Sequence, residues 1–134
     1  MNAVVDASVL VGALTDSGRE GRWCKQALER APAAAPELAL AEATNILRRL
    51  ELSRSISHLE ATAAHRDLLR LAIELYPFAP FAGRVWELRE NLTVYDAWYV
   101  ALAEVLEWPL VTLDRRLTRA DGPQCEMIVP PAEA

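Results

Sequence analysis

Four acids spread along the chain, Asp6, Glu42, Asp96 and Asp114, each stand beside strongly apolar sequence. "AVVDASVLV" places Asp6 directly after a short apolar strand, and "PLVTLDRRL" does the same for Asp114. Asp96 lies in the first turn of an apolar helix, "LTVYDAWYVALAE", and Glu42 lies early in another, "PELALAEATNILRR". Asp96 shares a helix face with Tyr99, Val100 and Ala103, which should point inward. A carboxylate so placed needs a partner, because an unpaired buried charge is costly enough that it would sooner take up a proton. Oxygen ligands with no histidine or cysteine beside them select hard cations, Mg²⁺ or Mn²⁺, over zinc.

Each acid also has an ordinary structural role open to it. Asp6 suits a helix N-cap, and Asp114 suits a turn before the solvated Arg115 and Arg116. Thr93 and Asp96 have the spacing of a capping box, with Asp96 reaching back to the Thr93 amide. Glu42 fits a polar stripe with Asn45 and Arg49. Ser8, Thr112 and Asn45 carry neutral oxygens close to three of the acids and are suited to hydrogen-bond metal-bound water; they are equally ordinary turn, strand and helix-surface groups. The case for chemistry is the set of four, taken together.

The elements must bring that set together. "AVV" reads as a strand, followed by a helix after Asp6 and another around Glu20 to Arg30. "APAAAP", residues 31 to 36, reads as a proline-punctuated loop. A helix follows over residues 37 to 52, and Ser57 opens one that runs to about Glu74. "YPF" is a strand end, and Pro80 starts a helix through Glu90. Thr93 opens the helix of Asp96, which stops before Trp108-Pro109; "PLVTLD" and "CEMIVP" are closing strands. Strands separated by helices predict an α/β fold with a mainly parallel sheet covered on both faces. Sites in such sheets lie beyond the carboxyl ends of the strands, where strand order reverses. Asp6 and Asp114 fall at strand ends, and Asp96 and Glu42 at helix starts that face the same rim.

With 134 residues, 52% apolar and 25% charged, the chain has the size and balance of one globular domain, residues 1–134. No apolar run is long enough to cross a bilayer, and the start lacks the basic flank of a secretory signal, so the expected location is cytoplasmic. Cys24 and Cys125 imply neither a disulfide framework nor a zinc site. The net charge of −5 argues against a polyanionic partner, unless several acids are committed to cations. Lys25 is the only lysine, and every other basic residue is an arginine, whose planar fork suits phosphate. There is no phosphate-binding Gly-rich loop ending in Lys. His58 and His65 share a helix face but no nucleophile–base pattern. An aspartyl-phosphate enzyme is disfavoured: Ser8 stands where a second Asp is usual, and no lysine lies near a late strand.

"VVDASVLV", "PELALAEATNILRR", "LTVYDAWYVALAE" and "PLVTLDRRL" resemble the four blocks of PIN-domain ribonucleases, specifically the VapC-like toxins of type II toxin–antitoxin pairs. The resemblance runs from residue 4 to residue 117. It implies a PIN-like three-layer α/β/α sandwich and an endoribonuclease dependent on Mg²⁺ or Mn²⁺. It implies a homodimer blocked by a VapB-like antitoxin, and it places the acidic quartet on Asp6, Glu42, Asp96 and Asp114. In that setting the acids hold metal and orient the attacking water, with Glu42 on a second ion or acting through water. Arg48 and Arg49, with Arg115, Arg116 and Arg119, would then form a basic rim for RNA phosphates. Trp98, on a different helix face from Asp96, is assigned to core or dimer contact. The helices around 38–50 and 57–73 offer either a groove for an antitoxin helix or plain core packing. Loops 15–22 and 115–123 are the places where RNA preference would be set. Two alternatives stand beside this reading: a PIN-like binding module acting through an antitoxin-bound complex in transcriptional autoregulation, and a nuclease specific for DNA or for nucleic-acid structure.

Overall fold

The computed structural model describes residues 2–29 and 32–132. β1 (Ala3–Val5) leads into α1 (Ala7–Thr15), and α2 (Arg19–Glu29) packs against α1 ahead of β2 (Ala33–Pro36). α3 (Ala39–Leu52) and α4 (His58–Leu68) connect β2 to β3 (Ile73–Tyr76). A 3-10 turn at Ala79–Phe81, α5 (Ala82–Glu87) and α6 (Val94–Leu106) lead to β4 (Leu110–Val111). A second 3-10 turn, Leu117–Arg119, precedes β5 (Met127–Ile128).

The strands lie in the order β3-β2-β1-β4-β5, and each neighbouring pair is parallel. Parallel crossovers are right-handed, so strands added in opposite directions put their helices on opposite faces. The chain steps outward from β1 through β2 to β3, with α1 to α4 packed on one another. It then returns over the sheet, with α5 and α6 packed together and α6 lying on β1, β2 and β4. The product is the α/β/α sandwich that the sequence predicts. Its centre is β1, where Val4 and Val5 are wholly buried, closed by Leu10 of α1 and by Val100 and Leu102 of α6.

Three of the expected elements differ in the structure. Residues 33–36 of "APAAAP" form a buried strand between β1 and β3, not a loop. Alanine has weak β propensity, and flanking prolines mask the strand. What decides is position: small side chains in a central strand let helices approach both faces. The second case is the helix drawn to about Glu74. It ends at Leu68, and Ile73–Tyr76 pairs with β2 as the sheet edge, so only Tyr76 of "YPF" is strand. Leu and Glu favour helix locally, and the pairing overrides them. The helix after Pro80 likewise stops at Glu87, and Arg30, assigned to the end of α2, lies outside the described residues.

Arg84 of α5 ties α6 to the segment before β5. Its Nε donates to Glu104 Oε1 at 2.7 Å and its Nη2 to the Gly122 carbonyl at 2.9 Å, while the Gln124 amide donates to Glu104 Oε2 at 2.7 Å. At the corner between α1 and α2, a Cβ on Gly21 would overlap the carbonyl oxygen of Asp16. Gly21→Ala is therefore expected to lower the unfolding free energy by about 1–3 kcal/mol, the cost of overpacking. A lower urea midpoint at unchanged slope checks it. Among the described residues, no helix is long and apolar enough to cross a membrane.

Candidate active site

Strand order reverses between β1 and β4, and in open parallel sheets that crevice is where ligands bind. The Asp6 amide donates to the Val111 carbonyl at 3.0 Å, so the end of β1 is fastened to β4. By backbone position Asp6 is the N-cap of α1, yet its carboxylate makes no capping bond. Asp6 Oδ2 instead accepts the Thr112 hydroxyl at 2.7 Å. Thr112 is the fully buried polar residue of this edge, and its Oγ1 also accepts the Asp114 amide at 3.0 Å. One hydroxyl thus orients the first acid and fixes the backbone of the last. Ser8 Oγ accepts the Leu113 amide at a longer 3.4 Å.

Asp114 combines both of its readings. It stands at the edge beside Asp6, and its Oδ1 accepts the Arg116 amide at 3.0 Å and Arg116 Nε at 3.4 Å. Asp96 is different. Thr93 Oγ1 accepts the Asp96 amide at 3.2 Å, but no return bond of a capping box is formed here, whereas the start of α4 has both, between Ser57 and Glu60. The half-buried Asp96 carboxyl is raised above the usual aspartate range by burial, then by the charges of Asp6 and Asp114; Thr93 and Arg116 pull it back in part.

Glu42, in the first turn of α3, is also half-buried. Burial raises its carboxyl, a hydrogen bond from Tyr99 opposes the rise, and Asp6 and Asp96 add to it. The Tyr99 hydroxyl donates to Glu42 Oε1 at 2.8 Å. Burial, then the Glu42 charge, holds the phenol proton far above its ordinary range, so Tyr99 is a fixed donor. This bond joins α6 to α3 across the edge of the sheet. Sequence reasoning placed Tyr99 on the inward face but gave it no role; its signal was the three-residue spacing from Asp96.

The four acids therefore share one electrostatic field. Among the described residues, no three Asp, Glu, His or Cys side chains are grouped closely enough to hold one metal ion. Three of the acids already have protein partners: Asp6 has Thr112, Glu42 has Tyr99, and Asp114 has Arg116. The donors are all oxygen, which suits a hard cation.

Asn45, Arg48 and Arg49 are exposed on α3 and make no hydrogen bond to the acids. Arg48 lines a shallow cavity of about 270 Å³ between α3 and α4, together with His65. Arg115 and Arg116 are exposed beside Asp114, and Arg119 sits in the 3-10 turn beyond them. Trp98 is a core residue, edge-on to Phe78 at 5.2 Å, with its indole N–H unpartnered. Cys24 and Cys125 are free thiols.

Residues 3–123 match the PIN domain. Ribonuclease VapC1 of Mycobacterium tuberculosis is 42% identical over 125 residues, covering 92% of this chain and 94% of that protein. VapBC-5 of the same organism, a member of the VapBC family of toxin–antitoxin systems, superposes with a TM-score of 0.61 at 23% identity, covering 96% of this chain and 98% of that one. VapBC2 of Rickettsia felis, bound to a DNA fragment from its promoter, superposes with a TM-score of 0.67 at 17% identity, covering 96% and 98%. The chain belongs to the PIN-domain family. Within it, the chain is similar over nearly its whole length to the VapC ribonucleases.

Proposed function

We propose that this chain is a Mg²⁺- or Mn²⁺-dependent endoribonuclease, the toxin of a toxin–antitoxin pair, folded as one domain and working as a homodimer. The observation that carries the reading is the edge between β1 and β4. There Thr112 holds Asp6, and burial together with the neighbouring acids makes Asp96 and Glu42 hold their protons more tightly than usual. The chemistry a divalent cation would supply there is an activated water near neutral pH and neutralised charge on the phosphate and leaving oxygen. Asp6, Asp96 and Asp114 would share the cation, one or two of them directly and the rest through its bound waters, and Glu42, kept in place by Tyr99, would hold a second one or orient its water. Mg²⁺ keeps several waters and takes only one or two carboxylates directly, which suits acids that are near one another but not in contact. Thr112 positions Asp6, Ser8 supports the loop at Leu113, and Arg115 and Arg116 contact phosphate. Arg49, in line with Glu42 along α3, is a more distant contact; Arg48 and Asn45 have weaker claims. A VapB-like antitoxin, as the VapBC name of the fold neighbour suggests, would cover this edge.

The test is incubation of purified protein with single-stranded RNA and DNA oligonucleotides in Mg²⁺, with and without EDTA. Internal cleavage of RNA alone, stopped by EDTA, is the expected result. Cleavage that survives chelation sinks the metal assignment, and cleavage of DNA alone sinks the RNA one. Thr112→Val keeps the shape of the side chain but removes the hydroxyl that orients Asp6. It should lower kcat/KM by about 10–100-fold, the usual effect of losing a group that orients a metal ligand, with an unchanged circular dichroism spectrum.

A further inference from the structure

A cavity of about 560 Å³ opens beside the acidic edge, between α2 and the C-terminal segment. Arg19, Glu20, Arg22, Trp23 and Gln26 line it from α2, Arg115 lines it from the residue after Asp114, and residues 130–132 close it. Its volume lies within the roughly 300–1,000 Å³ of small-ligand sites. It gathers three arginines and one acid in a chain whose net charge is −5. Among the described residues, none of those arginines is ion-paired with a carboxylate. Two of them are anchored: Arg22 Nη1 donates to the Ser17 carbonyl at 3.0 Å, and Arg115 Nη2 to the Pro130 carbonyl at 2.6 Å. A guanidinium has five N–H donors, so both retain donors for an anion. Trp23 packs partly against the core and stays half-exposed toward the cavity.

A tethered indole face ringed by anchored arginines matches a nucleotide: the base stacks on the ring and the phosphate meets the forks. We propose that this cavity is a subsite for one nucleotide of the RNA strand flanking the cleaved bond. Trp23 stacks the base, Arg19, Arg22 and Arg115 hold its phosphate, and Gln26 offers an amide to the base edge. Arg115 connects the subsite to the acids through its neighbour Asp114. The inference rests on the ribonuclease reading for the identity of the strand.

The test measures equilibrium binding of a fluorescent single-stranded RNA oligonucleotide in Mg²⁺, with Asp96→Asn as background so that little strand is cut during the measurement. Trp23→Ala should weaken binding about tenfold, and Trp23→Phe, which keeps a stacking face, should stay within about twofold. Arg19→Gln with Arg22→Gln should reduce the slope of log affinity against log salt by about 0.7 for each phosphate that the variant no longer neutralises. Both arginines are exposed, so this arm decides the matter even if Trp23→Ala unfolds. Unchanged affinity in Trp23→Ala together with an unchanged salt slope overturns the subsite, as does Trp23→Phe binding as poorly as Trp23→Ala. A Trp23→Ala change that weakens an acidic peptide but not the RNA assigns the cavity to a protein partner and also overturns it. The two readings separate cleanly. Wild-type cleavage with unaltered binding in the variants removes the subsite alone, whereas Trp23-dependent binding by a chain that cuts no RNA removes the nuclease reading alone.

Discussion

Asp96→Asn is expected to lower RNA cleavage about a thousandfold while leaving the chain folded. The carboxylate lies in the first turn of α6, where its amide is capped by Thr93 and its side chain takes no part in a capping box. Asn has nearly the same shape and keeps the helix start intact, so the change removes charge and little else. Stabilisation of developing charge by a bound cation is worth several kcal/mol, and each 1.36 kcal/mol is tenfold in rate. If Asp96 holds the cation as proposed, its removal therefore costs about three orders of magnitude in kcat/KM. A folded Asp96→Asn protein that cuts RNA within tenfold of wild type would remove Asp96 from the site. In cells, the same variant should relieve any growth arrest caused by the wild-type chain; so should Asp6→Asn.

The same substitution should make the metal-free protein more stable at neutral pH. The ordinary values are 3.8 for Asp96 and 4.5 for Glu42, and both groups are raised in the fold. The native state therefore binds protons more tightly than the unfolded state, and stability falls as pH rises through the unfolded values toward the folded ones. Below that window the penalty is absent; above it, the penalty is complete. Asp96→Asn removes its share, so the Tm of the variant should exceed wild type at pH 8 and converge with it below pH 3.8. Comparing variant with wild type isolates these acids from Glu104, where burial raises the carboxyl but the bonds from Arg84 and the Gln124 amide outweigh it and lower it, so that it acts in the opposite sense. Saturating Mg²⁺ should reverse the order at pH 8. At a hundred times its Kd it adds about 2.7 kcal/mol to wild type and much less to the variant. A wild-type Tm indifferent to Mg²⁺ would count against a cation site at this edge.

The α/β class and the parallel sheet were legible because hydrophobic strands alternate with amphipathic helices, and the strand-end positions of Asp6 and Asp114 followed from the same pattern. The N-cap of α6 was legible from Thr93, and the core role of Trp98 from its helix face. The strand at Ala33–Pro36 was hidden because alanine favours helix over strand locally; its position between β1 and β3 makes it a strand. β3 was hidden in a similar way, since "IELY" contains helix formers whose pairing with β2 is a long-range event. The site's polar contacts were least legible of all. Thr112 was recognised as an oxygen carrier, but the path from it to Asp6 depends on register. Tyr99 looked like core until Glu42, from a distant helix, was placed against it. The pocket around Trp23 depends on the C-terminal segment meeting α2, which neither stretch announces.

Thr112 follows Asp6 by 106 positions, and the bond between them spans most of the polypeptide. Contacts this far apart in sequence form late and slowly during folding. A growing polypeptide on the ribosome carries Asp6 and Glu42 long before the segments that align them have been made. A product that stops ahead of Thr112 lacks both that hydroxyl and Asp114, and so leaves Asp6 without the group that orients its carboxylate.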